Sequence, residues 1–190
     1  MSQVQRSYNV IAIFILPGGV LSGLLQLAGN VTPGWTRWTR TQNRMWSHEI
    51  GIWYTLKCGK HTCNIEGLDA AGPIHVQMAI ALVSCFFVVI YLMFIKTRGS
   101  GIQVKHLAIS AYFSLMSGIL SVIPVVYHVY YVMPADGSFA YSSLLVGMGG
   151  VLALMVSGTS LWQVCSDLTT REQRLELTPV HSQREGNTLL

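Results

Sequence analysis

The residues best equipped for chemistry are Cys58 and Cys63, separated by Gly59-Lys60-His61-Thr62. An insert of that length, with a glycine to help it turn, lets two adjacent strands bring the thiols together. A local disulfide is the simplest account. The metal reading would recruit His61, but a structural zinc site needs four ligands and the nearby residues do not complete a set. A membrane thiol oxidoreductase would want Cys-x-x-Cys chemistry and a second pair as relay. Cys85 lies in the middle of an apolar block and Cys165 beyond the last one, so neither is placed to serve. The cysteines therefore point to a non-enzymatic protein with no metal and no cofactor, and the pair itself to an oxidising compartment.

The elements that must position this pair are set by where the apolar residues fall. The 190 residues are 51% hydrophobic and only 11% charged, whereas a soluble domain carries roughly a quarter charged residues. Four long stretches contain no Asp, Glu, Lys or Arg: 10–29, 74–95, 107–133 and 141–164. A bilayer core of about 30 Å is crossed by about 20 helical residues, and each stretch is long enough. A cleavable signal peptide is the rival reading of the first. Its apolar run exceeds the roughly 7 to 15 residues of a signal core, and Leu27-Ala28-Gly29 is a poor cleavage site, so a retained helix is expected. A transporter or pump is disfavoured, because the spans lack the intramembrane charges that build an ion site. Nothing in the pattern suggests nucleic acid as a partner.

Four spans place both termini on one side. The loop between the second and third holds Lys96, Arg98 and Lys105 and no acid, so by the positive-inside rule that side is cytoplasmic. The expected layout is a large first outside loop at 30–73 and a small second one at 134–140. A membrane domain over 1–165 is followed by a cytoplasmic tail over 166–190, whose polar, mixed-charge composition shows no apolar period and predicts disorder. Plasma membrane is the expected location, with a cell junction or a vesicle as variants.

Within the spans, small residues recur every four positions or nearly so: Gly19 and Gly23; Ser110, Ser114 and Gly118; Gly149, Ala153 and Ser157. In lipid, where apolar surface gives no drive for helix association, such rows let backbones approach and pack. Pro124 removes a backbone donor from the third helix and predicts a kink near Leu120. His128, one turn on, reads as a hydrogen-bonding residue at the interface and not as a proton relay.

The first outside loop contains Trp35, Trp38, Trp46 and Trp53, four of the five tryptophans. That much aromatic surface requires a folded loop resting on the bilayer or on the helix tops. The run Glu49–Lys57 reads as a strand feeding the cysteine turn. Asn30-Val31-Thr32 is a glycosylation sequon at the membrane edge, where steric hindrance is expected to leave it unused. The loop's excess of Arg and Lys suits anions or acidic partner surfaces.

A tryptophan at Trp35 or Trp38, then Gly51-Ile52-Trp53, then Cys58 and Cys63, within four spans, resembles the superfamily of claudins and peripheral myelin and epithelial membrane proteins. Residues 117–125 also resemble the claudin third span. The four-residue gap between cysteines, the short second loop and Ser138-Phe139-Ala140-Tyr141-Ser142 look closest to the lens-fibre and claudin-domain-containing branch. The resemblance implies a left-handed four-helix transmembrane bundle, all-α, capped by a small extracellular antiparallel β-sheet from the first outside loop. It implies that Trp53 anchors sheet to bundle, and a role in organising cell contacts, junctions or membrane traffic. Paracellular barrier or pore, and auxiliary subunit of a channel or receptor, are the variants it carries. Implied partners are the lipid bilayer, further copies and other membrane proteins.

Two features at the far end add candidates. Cys165 at the membrane edge is a palmitoylation candidate, with a buried structural thiol as the alternative. In the last residues, Thr188 and Leu190 fit capture by a PDZ domain, whereas Glu185 with Leu189 and Leu190 fits an acidic dileucine signal read by a sorting adaptor.

Overall fold

The computed structural model describes residues 3–39, 47–59, 62–67, 72–98, 104–132, 138–139 and 141–185. Helix α1 covers Gln3–Val31, α2 Pro73–Thr97, α3 Val104–Tyr127 and α4 Tyr141–Glu185. Four segments are long and apolar enough to cross a membrane: Ile13–Val31, Pro73–Thr97, Val104–Tyr131 and Tyr141–Thr170. They agree with the stretches read from the sequence apart from residues at their ends. Each helix packs against two others, α1 on α2 and α4, and α3 on α2 and α4, which closes a four-helix bundle.

The distribution of side chains departs from that of a soluble protein, since serines share the interior with apolar clusters and many large apolar side chains face outward. Ser22, Gln26, Ser84, Ser114, Ser117 and Ser157 are buried, while Phe14, Val83, Ile90, Ile123 and Met155 face outward. A surface of that kind is incompatible with water and natural in lipid. The small-residue rows all face inward. At Gly149 the reason is direct, because a Cβ there would sit 2.8 Å from Gln26 Cγ and 2.9 Å from the Ser22 carbonyl oxygen. Helix α4 meets α1 at backbone contact only because that position has no side chain. Ser22 Oγ donates to the Gly149 carbonyl at 2.7 Å, so the close approach is also hydrogen-bonded.

Between α1 and α2 the chain forms β1 (Thr36–Thr39), β2 (Ser47–Ile50), β3 (Tyr54–Cys58) and β4 (Cys63–Gly67). Ser138–Phe139, ahead of α4, adds β5. The five strands are all antiparallel, in the order β4-β3-β2-β1-β5. The chain is thus an all-α four-span bundle with a small antiparallel sheet, built mainly by the first loop. One strand comes from the second loop, of which residues 134–137 and 140 lie outside the described residues.

Two local readings change. The single strand expected over Glu49–Lys57 is two strands, β2 and β3, joined by a reversal at Gly51-Ile52-Trp53. The Gly51 N–H donates to the Tyr54 carbonyl at 2.9 Å and continues the ladder, so Ile52 and Trp53 form the turn. Strand propensity in Ile, Trp and Tyr is overridden there by burial of Ile52 beneath the sheet. Helix α3 includes Pro124 and runs to Tyr127, and a π turn follows over His128–Val132. Finally, α4 runs on past Ser166 to Glu185, where composition alone pointed to a disordered tail. Glu172, Gln173, Arg174, Leu175 and Glu176 are good helix formers and extend an existing helix without a nucleation cost.

Candidate functional site

The sequence-marked residues of the first loop converge where the sheet meets the helix ends. The chain leaves α1 through Thr32-Pro33-Gly34, and the Trp35 N–H donates to the Ile50 carbonyl at 3.0 Å. That bond fixes the start of β1 against the end of β2. The Trp35 indole then turns down into the bundle, only 5% exposed, and its Nε1–H donates to the Gly29 carbonyl at 3.0 Å. A carbonyl left over at the end of α1 is thereby satisfied, as helix termini require.

Trp35, Ile52, Met78 and Val146 form one buried cluster, with Ile74 and Val125 packed against it. The loop supplies two of these residues, α2 two, α3 one and α4 one. Pinning the sheet thus engages three helices at once. Tyr54 adds a tether, its hydroxyl donating to the Val31 carbonyl at 2.8 Å. At the second loop the Ser142 N–H donates to the Gly34 carbonyl at 3.1 Å, and the Thr32 and Ser142 hydroxyls are 2.7 Å apart.

Two histidines clamp the cluster. His128 Nε2 lies 3.0 Å from both the Trp35 carbonyl and Thr36 Oγ1. A carbonyl only accepts, so Nε2 carries the proton. Its ring meets the Trp35 indole edge-on at 5.5 Å. His75 contacts the Ile52 carbonyl through Nε2, while its Nδ1 accepts the Gly72 N–H at 2.9 Å. One neutral tautomer satisfies both bonds, so the side chain caps the start of α2 and holds the Ile52 turn with the same ring. The sequence reading of His128 as a hydrogen-bonding residue agrees with its contacts.

The cluster redistributes the roles of the tryptophans. Trp35 is the anchor, whereas Trp53 is 42% exposed and touches His75 edge-on at 5.2 Å. The anchoring role implied for Trp53 thus falls to Trp35, because the reversal at Gly51-Ile52-Trp53 sends Ile52 inward and leaves its neighbour outside. Trp38 lies on β1, with its side chain outside the described part. Gly51 is required by close packing: a Cβ there would stand 2.9 Å from both Pro33 Cα and the Tyr54 carbonyl oxygen.

Cys58 and Cys63 form a disulfide, with Cα atoms 4.0 Å apart. The Gly59 N–H donates to the Thr62 carbonyl at 2.8 Å and closes the turn. The cysteines are therefore the next pair out, a non-hydrogen-bonded pair, in which opposite side chains stand closest. Beyond the disulfide β4 is exposed throughout, Ile65 included, and Lys57 pairs with Glu66 on this face. Exposed pairs of this kind contribute little to stability.

The other marked residues are scattered. Cys85 is buried among α1 and α2, 3.6 Å from the Gly19 carbonyl oxygen, and Cys165 is exposed on α4. Neither is near the disulfide. The Asn30 side chain is buried, with Nδ2 donating to the Gln26 carbonyl at 2.8 Å, so the sequon asparagine points away from any glycan donor. Thr188, Leu189 and Leu190 lie outside the described residues, as does the side chain of Glu185. Among the described residues, no three His, Cys, Asp or Glu side chains gather closely enough to hold a metal ion.

Two functional residues escaped the sequence reading. His75 carried a signal, standing three residues after Gly72 and two after Pro73 at a helix start. Gln26 had only a weak one, a lone amide four residues after Ser22. In the bundle its Nε2 donates to Ser22 and Ser117 at 3.1 and 3.2 Å, and its Oε1 accepts from Ser121 at 3.0 Å.

No protein-family model matches the chain, and no curated protein matches it either. The geometry describes a multi-pass membrane protein with a disulfide-stabilised sheet at one end of its four-helix bundle. Its general fold is consistent with that of the claudin and peripheral-myelin-protein superfamily.

Proposed function

We propose that this tetraspan chain organises contacts between membranes, at cell junctions or along membrane traffic, by presenting its extracellular sheet on a rigid bundle. The observation that carries the reading is the double fixing of that sheet. Trp35 and Ile52 lock one end into the bundle core, and the Cys58–Cys63 bond locks the far hairpin while its β4 strand stands exposed. A rigid exposed strand suits a recognition surface, because pre-organisation removes the ordering cost of binding.

In this proposal both termini are cytoplasmic, on the strength of Lys96, Arg98 and Lys105 in the loop between α2 and α3. The domain covers 1–165, and residues from 166 onward form its cytoplasmic extension. The short cysteine gap and small second loop favour the lens-fibre and claudin-domain-containing branch of the superfamily over the claudins proper. The exposure of Cys165 supports palmitoylation there over a structural thiol. The C-terminal residues offer a PDZ protein or a sorting adaptor a docking peptide.

The deciding experiment is recovery of the tagged full chain from native membranes of adjoining cells that carry two different tags. Recovery of the second tag with the first, across the contact, is expected. Recovery of channel or receptor subunits without the second tag would replace the proposal with that of an auxiliary subunit.

A further inference from the structure

Beneath the sheet lies a cavity of about 280 Å³, between the start of α2 and the end of α3. Its walls are Trp35, Ile52, Ile74, Pro124 and Tyr127, with the rings of His75 and His128 at its upper end. We propose that it is a lipid site which holds one acyl chain of an outer-leaflet phospholipid.

Three of the four histidine nitrogens around it are already engaged by the protein. Both nitrogens of His75 are used, on the Ile52 carbonyl and the Gly72 N–H, and His128 Nε2 is held by the Trp35 carbonyl and Thr36. Water needs two to four polar partners to settle in a cavity, and an almost wholly apolar lining offers few. The cavity is open on one side and its lining is almost wholly apolar, so in a bilayer the medium that fills it is hydrocarbon. Its volume suits a length of one acyl chain.

The bilayer is the adjacent source. Ile74 and His75 begin one membrane-crossing segment and Pro124, Tyr127 and His128 lie near the end of another, so the cavity sits at the edge of the bilayer, next to its hydrocarbon. Tyr127 is half exposed and stacks on Tyr131 at 5.1 Å, which makes it the rim residue on the lipid side. The site goes beyond the contact-organising role and does not depend on it.

The test uses the full chain in phosphatidylcholine nanodiscs containing a phosphatidylcholine with a photoreactive diazirine near the end of one acyl chain. Labelling is mapped by mass spectrometry. Residues Ile74, Pro124 and Tyr127 should be labelled more strongly than the lipid-facing Val83 and Ile90. Ile74→Trp, which fills the cavity, should abolish the first labelling and spare the second. Where Ile74→Trp lowers thermal stability, Tyr127→Trp at the rim serves instead, because it narrows the mouth without entering the buried cluster. Equal labelling of cavity and outer surface overturns the proposal, and so does cavity labelling that survives both variants. Preferential labelling of the same residues by a photoreactive sterol also overturns it.

Discussion

The bundle and the sheet are held together by different balances of the same forces. Inside the bundle stand serines, glycines and the amide of Gln26 beside a buried cluster of Ile15, Val88, Leu92, Leu107 and Val156, while many large apolar side chains turn outward. Beneath the sheet stand Trp35, Ile52, Met78 and Val146, a hydrophobic cluster, with a disulfide locking the outer hairpin. In hydrocarbon an apolar side chain gains nothing by leaving lipid for the interior, so close backbone contact and hydrogen bonds are what remain to hold helices together. At the membrane–water boundary the hydrophobic effect returns, and the loop uses it. The polarity of an interior is thus set by the solvent outside it, and one chain shows both solutions within a few residues of each other.

The sharpest way to break this comparison is at the indole. Trp35→Ala removes the largest buried side chain of the junction and the bond to the Gly29 carbonyl. A loss of about 3 to 5 kcal/mol is expected, in the range for buried aromatics. Trp53→Ala, on a side chain nearly half exposed, should cost about 1 kcal/mol, an ordinary value for a single substitution. Thermal unfolding of the full chain in detergent measures both. Equal losses would mean that the anchor is shared and that burial under the sheet is not what fixes it.

The bundle is tested by adding a single methyl group. At Gly149 a Cβ would meet the Ser22 carbonyl oxygen at 2.9 Å, a backbone atom with little freedom to yield. Gly149→Ala should therefore cost about 2 to 3 kcal/mol through overpacking. At Gly158, further along the same helix, nothing lies within 4 Å of the added carbon. Gly158→Ala should leave stability unchanged or raise it by up to about 1 kcal/mol through helix propensity. The pair shares one helix and one chemistry, so a similar response at both sites would remove close packing as the explanation.

How far the sequence reveals this arrangement follows the same division. The spans are legible because lipid forbids charge over a whole helix, a rule that acts on every residue of Ile74–Ile95 alike. The rows at Ser110, Ser114 and Gly118 and at Gly149, Ala153 and Ser157 are legible because packing repeats with the helical turn. The disulfide is legible from the spacing of Cys58 and Cys63 alone. The junction is different, since Trp35 meets Met78, Val125 and Val146 from three separate helices and no local pattern encodes such a meeting. The reversal at Gly51-Ile52-Trp53 is hidden for a related reason: strand-forming residues sit in a turn because a distant core takes up Ile52. Gln26 is hidden because a search for charges passes over a neutral amide.

That amide offers the finest discrimination between the two regions. Gln26 bonds to Ser22, Ser117 and Ser121 at the centre of the bundle. Gln26→Leu keeps a side chain of similar reach and leaves the Ser117 and Ser121 hydroxyls without their acceptor, while Ser22 keeps the Gly149 carbonyl. In a soluble core two such losses would add up, because each buried unsatisfied group costs about 1 to 3 kcal/mol. A serine on a helix has an alternative, the carbonyl three or four residues earlier, and Ser110 and Ser160 already use it on Leu107 and Val156. Retreat to those carbonyls should limit the loss to about 1 kcal/mol, close to the measured scale for interhelical hydrogen bonds in membranes. Unfolding of the variant in detergent, beside the wild-type chain, reads this directly. A loss of the size expected for Trp35→Ala would mean that the bundle, like the sheet, hangs on one side chain, and the contrast between many small contacts and one large anchor would fall with it.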